Sequence, residues 1–322
     1  MKTATKAYLA LATVCILWGT SYLTMKIGVA TIPPFLFSGI RQLSAGLIIW
    51  SIVFISGQHK GLTLTDIGRQ VLPGLLMIVL GNAVIGWAEQ YIPSGLAALI
   101  VSAMPLYVTC IGMAGGADGQ RLNKHILLGL CLGALGILLI FRDNLSDLTD
   151  TNYLRGVLAT FAAALCWAGG TVYIKRRKVR TGPLVNAATQ FSSGGVVLLL
   201  LSPLLDDYSH LDAISSASTW SLVYLIFFGS IIPYLCYLYA IQHLQVGLVS
   251  VYAYINPFIA ILLGMAILGE SAGWITALAF AATAAGVYWI NKGHAAPSSK
   301  QKSNDQDNNP CDQVRTVPAR RL

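Results

Sequence analysis

Charge is what this chain has least of. Asp, Glu, Lys and Arg make up 11% of its 322 residues, against roughly 25% in an ordinary soluble domain. That is too few to cover a water-facing surface of this size, so a soluble globular class is excluded. Paired catalytic or metal-binding groups are missing too. His59, His125, His210, His243 and His294 are never spaced as HxxxH, and Asp206–Asp207 is not followed by the further acid of a DDxxD metal site. The absence of CxxC removes a zinc site or a disulfide framework. No Walker-type nucleotide loop occurs, which leaves direct drive by ATP unsupported. An enzyme embedded in the membrane would need a cluster of acids or histidines at one face, and none is found. No cofactor is expected. Lys2 and Lys6 before an apolar run imitate a signal peptide, but no clear small-x-small cleavage site follows, and the run reads as a permanent span.

What is present is apolar sequence, 55% of the chain, in runs that approach or exceed the ~20 residues of a helix spanning a bilayer core. Gly, Pro and charge delimit ten candidate helices over 7–26, 34–56, 71–88, 94–115, 125–141, 154–174, 184–205, 219–240, 247–267 and 273–291. The longer loops are Ser56–Val71, Arg142–Tyr153 and Asp206–Thr219. Cys15, Cys110, Cys131, Cys166 and Cys236 lie inside apolar runs as small hydrophobes. After residue 291 the chain turns polar, and 292–322 is expected to be a disordered tail.

The runs repeat. Ala88–Gly112 aligns without a gap to Ala240–Gly264 at an offset of 152, matching Gln90 with Gln242, Gly95 with Gly247, Pro105 with Pro257 and, six residues on, Asp118 with Glu270. Upstream, an offset of 149 pairs Trp18 with Trp167, Lys26 with Lys175 and Gly46 with Gly195. A period this long indicates a duplicated unit rather than a solenoid. The halves are 1–145 and 146–291.

The net charge of +8 comes from short basic clusters between apolar runs, which read as orientation signals and not as a nucleic-acid surface. With the N-terminus in the cytoplasm, seventeen of the 21 Lys and Arg fall on the cytoplasmic side; Lys26, Arg142 and Arg155 lie outside and Arg41 within the second helix. Both termini are therefore expected in the cytoplasm. Five spans per copy is an odd number, so the second copy must cross in the opposite sense. Inverted repeats are a recurring architecture of secondary transporters. The fold class expected is all-α integral membrane, ten transmembrane helices as two inverted five-helix repeats.

Polar and aromatic residues inside the spans mark candidate sites. Pro105 and Pro257 fall near the middle of the fourth and ninth helices, where each removes a backbone hydrogen bond and frees a carbonyl. They are read as kinks walling a central cavity. Tyr252 and Asn256 share a face four residues apart, Tyr234 and Tyr237 lie three apart on helix eight, and Gln242 stands near its end. Trp18 and Trp167 sit mid-helix beside small residues, Gly19 and Ser21 in one case, Ala168 and Gly169 in the other. Together with Tyr22 and Asn82 these line the expected substrate cavity. The open alternative for each is packing or a helix–helix hydrogen bond. Arg41 either contacts an anionic substrate or snorkels outward. Glu89, near Asn82 and Gln90, is a conceivable proton carrier that Ile241 does not duplicate in the second copy. Gly129 and Gly133 form GxxxG on helix five, and Ala277, Ala281 and Ala285 repeat the spacing on helix ten. These faces suit a scaffold or a homodimer contact.

The WG and Trp-to-Lys spacing of the first run, the Arg41 region, SGLAALIVSAMPL with its partner VGLVSVYAYINPF, and Gly269–Glu270 resemble the EamA family of the drug/metabolite transporter superfamily. The resemblance spans roughly 7–291. It implies a 5+5 inverted repeat, a cavity lined by helices 1, 3, 4, 6, 8 and 9, and ATP-independent transport, often outward, of small metabolites such as amino acids and their relatives. Ala117–Asp118 departs from the Gly-Glu usual in the first copy. The function expected is a secondary permease or exporter working by alternating access in the cytoplasmic membrane, on a small-molecule substrate. A broad-specificity drug exporter, a membrane-embedded enzyme and a scaffold are the alternatives.

Overall fold

The computed structural model describes residues 3–114, 123–143, 150–176, 181–209, 211–244, 252–271 and 273–295, and among these there are helices and turns but no strand. In chain order α1 is Thr3–Gly28 and α2 is Pro34–Ile55. Helix α3, Leu64–Ala88, widens into π-helical turns over Leu75–Ala83. Helix α4 comes in two pieces, Ser94–Ser102 and Met104–Ala114. Next are α5, Lys124–Asp143; α6, Thr151–Arg176; and α7, Pro183–Leu205. Helix α8 joins Ser216–Tyr224, a π-helical stretch Leu225–Ile231, and Ile232–His243. Last come α9, Tyr252–Leu268, and α10, Trp274–Ala295. Eight of these helices are long and apolar enough to cross a membrane, and α5 and α9 hold the shorter apolar stretches Lys124–Gly136 and Ile255–Leu268.

Local chemistry explains where the helices begin, and where hydropathy misplaced them. Helix α3 starts at Leu64, inside the expected 56–71 loop. Thr63 and Asp66 form a capping box there: the Thr63 hydroxyl accepts from the Asp66 amide, and the Asp66 carboxylate accepts from the Thr63 amide. This first turn is too polar to register as part of an apolar run. Helix α8 likewise starts three residues early, at Ser216, because the Ser215 hydroxyl accepts from the Ser218 amide. Pro34 and Pro183 open α2 and α7, where a missing N–H costs nothing. Asp206, just after α7, accepts from the Phe35 and Leu36 amides at 3.1 and 2.7 Å and so caps α2. Helix α10 runs four residues past its expected end, with the Lys292 ammonium 4.7 Å over the Trp289 ring. The expected start of the ninth helix at 247 and most of the 292–322 tail lie outside the described residues.

Two crossings hold the bundle most extensively, α2 with α7 and α5 with α10. In the first, a Cβ on Gly46 would lie 2.6 Å from the Ser192 amide nitrogen, and one on Gly195 would lie 2.8 Å from Leu43 Cα. The contact is reciprocal: each glycine meets the residue three positions before the other. In the second, a Cβ on Gly286 would lie 2.7 Å from the Gly133 nitrogen and 2.8 Å from the Gly129 carbonyl. The GxxxG face of α5 is thus filled by α10 of the same chain and not left free for a second copy. The α10 stripe that meets it carries Ala279, Thr283, Gly286 and Ile290, all buried, while Ala277 and Ala281 are exposed. Equal spacing placed the small residues correctly, but the helix is turned so that a different set faces inward.

Candidate functional site

The polar centre is built around Arg41, eight residues into α2. Its head is 4% exposed and faces the bundle, so it does not snorkel. Nε donates to Ser230 Oγ at 3.1 Å, Nη1 to Asn82 Oδ1 at 3.4 Å and Nη2 to the Gly229 carbonyl at 3.3 Å. That carbonyl is available because Pro233, four residues on, has no N–H to offer it. Gly229 keeps this approach close: a Cβ there would lie 3.2 Å from Nη2, 3.3 Å from Ser21 Oγ and 2.5 Å from the tip of Leu225. Gln42 Nε2 donates to the same Asn82 oxygen at 3.1 Å, and Thr20 shares a hydrogen bond with the Tyr224 hydroxyl at 2.8 Å. Two further buried polar atoms, Ser38 Oγ and Gln42 Oε1, find no partner among the described residues. Every partner of the guanidinium is neutral, in a setting where a charge is expensive. Sequence reading found Arg41 and Asn82 but missed Ser230, Gln42 and the role of Pro233. The signal was a proline four residues after a glycine.

One turn back along α1, Trp18 begins an aromatic cluster. Its ring centroid is 5.7 Å from that of Tyr237 on α8 and 5.1 Å from that of Tyr252 on α9, and the two tyrosines are 6.1 Å apart. These edge and tilted geometries are the favourable ones for ring pairs. Asn256, one turn beyond Tyr252, donates its amide to the Cys15 and Tyr252 carbonyls, both at 3.0 Å, and so ties α9 to α1. Tyr22 is the next turn of α1 and packs with Ile85, Ile92, Ala97 and Val157.

The other expected site residues stand apart from this cluster. Trp167 packs its ring over Gly81 of α3, where a Cβ would lie 3.0 Å from Cε3, next to Asn82 but with no ring contact to Trp18 among the described residues. Tyr234 turns toward α7, reaching the Pro183 carbonyl at 3.4 Å and Phe191 at 5.8 Å between centroids. Pro105 is the second residue of the second piece of α4, just past the interruption at Ala103; Pro257 lies inside α9. The side chains of Lys175, Gln242 and Tyr254, and residues Asp118 and Gly247 altogether, lie outside the described residues. Among the described residues no three of His, Cys, Asp and Glu gather to hold a metal.

At the bundle end where α1 finishes, a polar knot joins the two halves. Gly269, at φ +65°, ends α9 in the left-handed conformation, and the Glu270 amide returns to the Gly264 carbonyl at 3.1 Å. This hairpin turn aims the Glu270 carboxylate at the start of α4. It accepts from the Ser94 amide at 2.9 Å, the Ser94 hydroxyl at 3.0 Å and the Gly95 amide at 3.4 Å, an anion at a helix N-terminus. Lys26 completes the knot, 3.1 Å from the carboxylate and donating to the Ile92 carbonyl at 2.8 Å. An open pocket of about 420 Å³ lies beside it, lined by Lys26, Ile27, Ala30, Ser215, Ala217, Leu268 and Glu270. Next to the knot, Glu89 follows the last residue of α3 and is 1% exposed.

The profile of the EamA-like transporter family matches residues 5–142 and 154–292. An Escherichia coli (strain K12) inner membrane transporter, YedA, is 33% identical over 272 residues, covering 84% of this chain and 85% of its own. A Salmonella typhimurium protein named as a probable amino-acid metabolite efflux pump is 28% identical over 237 residues, covering 70% and 75%. A crystal structure sharing 20% identity superposes with a TM-score of 0.63 over 88% of this chain and 96% of that one, a likeness of fold.

Proposed function

Because the chain belongs to the EamA-like transporter family, a membrane transporter and not an enzyme, we propose that it exports amino acids or closely related carboxylate-bearing metabolites by alternating access. The observation that carries the substrate class is Arg41, a buried guanidinium whose three partners are all neutral. Two of its five N–H groups remain for an incoming carboxylate, and charge-assisted pairs of this kind are the strong ones. The Trp18–Tyr237–Tyr252 cluster, one α1 turn away, supplies an apolar wall; Tyr22 and Asn82 border it, and Trp167, Tyr234 and Asn256 hold the surrounding helices. The substrate would sit near the middle of the membrane, with Pro105 and Pro257 shaping helices that bend as the halves rock.

Ten spans in two inverted repeats support that motion. Equivalent helices pair across the two halves, α2 with α7 and α5 with α10, π-helical stretches occur in the matching helices α3 and α8, and the family profile matches each half. In this reading both termini are cytoplasmic, and Lys26 with Glu270 closes the outer end. Impermeant maleimide on intact cells checks the orientation: single cysteines at Ser209 and Ala30 label from outside, and one at Gln58 does not. The reverse pattern overturns it.

The transport test uses proteoliposomes and radiolabelled L-amino acids. Arg41→Met and Trp18→Ala are each expected to cut the initial rate about tenfold or more, the equivalent of losing one charge-assisted hydrogen bond or one buried ring contact. Unchanged rates in both variants sink the site; resistance to unrelated toxic cations without amino-acid flux favours the drug exporter.

A further inference from the structure

We propose that Glu89 is a proton-binding site through which this transporter couples substrate movement to the proton gradient. Both carboxylate oxygens are buried, and among the described residues neither has a hydrogen-bond partner. Two cations stand near enough to act on it, Lys26 from α1 and Arg41 from α2, with the second acid Glu270 after α9 and the Tyr22 phenol also facing it. Helix α6 approaches there through Gly156, over the Ala88 carbonyl. Neither cation donates to Glu89. Lys26 instead points to Glu270 and the Ile92 carbonyl, and Arg41 to Ser230, Asn82 and the Gly229 carbonyl.

Two carboxylates thus compete for one lysine, and Glu270 wins because the Ser94 and Gly95 amides help hold it. A carboxylate left in a dry interior without donors costs several kcal/mol, and a bound proton removes most of that cost. Burial raises the Glu89 carboxyl well above the usual carboxylate range, with Lys26 and Arg41 pulling the other way. The protein with its Lys26–Glu270 contact closed therefore holds a proton on Glu89. Opening that contact frees the Lys26 ammonium and admits water. Both favour the ionised form, so the proton passes to that water, whose oxygen forms the new O–H bond while the old O–H electron pair stays on the carboxylate. The second copy has Ile241 at the matching position, so each chain carries one such site.

This inference rests on the transporter reading, but part of its test does not. The chain contains only two glutamates, Glu89 and Glu270, and the second is tied to Lys26 at 3.1 Å. Wild-type protein grown on carboxyl-¹³C glutamate and placed in nanodiscs without substrate should show one isotope-shifted protonated-carboxyl infrared band at neutral pH, which Glu89→Gln removes. No such band overturns the proposal, whether or not the variant folds. In proteoliposomes loaded with a pH-sensitive dye, the twenty proteinogenic L-amino acids should drive proton movement through wild type, and Glu89→Gln should fall to the background of empty liposomes. Amino-acid flux without proton movement overturns coupling and leaves the transporter reading intact. A glutamate band without any amino-acid flux keeps the proton site and sinks the substrate class.

Discussion

Gly286→Leu leaves little folded protein. At the α5–α10 crossing a Cβ would already be 2.7 Å from the Gly133 nitrogen, 2.8 Å from the Gly129 carbonyl and 3.1 Å from Gly133 Cα. All three are backbone atoms of a helix, so no rotamer change relieves them; the helices must part. Overpacking a core costs typically 1–3 kcal/mol and occasionally more, and here it separates one of the two most extensive contacts in the bundle. Leucine regains about 1 kcal/mol of helix propensity over glycine, which does not offset a loss of about 3 kcal/mol or more against a total stability of only ~5–15. Gly169→Leu on α6 is the control, because nothing lies within 4 Å of its Cβ position. Size-exclusion profiles and thermal melting in detergent read the difference. If Gly286→Leu is monodisperse and melts with wild type, the crossing is not as close as described.

The second large effect concerns the knot at Lys26 and Glu270. Their side chains are 27% and 10% exposed, between the surface case, where a pair contributes ~0–1 kcal/mol, and the buried case, where losing one partner costs ~3–5. Glu270 also caps α4, a further contribution of about 1 kcal/mol. Glu270→Ala removes both and leaves Lys26 without its anion. In the proposed alternating-access cycle, a bias of about 3 kcal/mol is expected to shift the balance between conformations with this end closed and open roughly 100-fold toward open. Glu270→Gln keeps an acceptor for the Ser94 amide and is expected to do about half as much. A cysteine placed at Ala97, buried one turn further into α4, reports the shift as a faster reaction with impermeant maleimide, and transport slows because the cycle stalls open. Equal labelling in Glu270→Ala, with the alanine variant folded, means the knot is not what closes this end.

How much of this was legible beforehand differs residue by residue. The apolar runs predicted most of the helices, since hydropathy sums over many positions and tolerates local error. It failed at Leu64 and Ser216, where polar capping turns carry the start signal. Trp18 stands out by its match to Trp167, Tyr237 and Tyr252 by helical spacing, and the three lie within about 6 Å of one another. Tyr234, three residues from Tyr237, was named with it and faces α7 instead, because neighbours on one helical face diverge enough to meet different helices. Asn256 was read as a substrate group and spends its amide on two carbonyls.

What the sequence alone determined is the class of molecule: apolar runs of about twenty residues hide their backbone from lipid as helices, and a motif recurring about 150 residues on marks a duplication. What only the tertiary structure decided is which of the few polar groups meet. Glu270 lies 176 residues from Ser94, and Arg41 lies 188 and 189 residues from Gly229 and Ser230. Spacing along one helix gives a side chain's direction about its own axis and says nothing of what the next helix presents to it. That Glu89 lacks a donor among the described residues while two cations stand nearby is a property of four elements at once, and it exists only when they are packed.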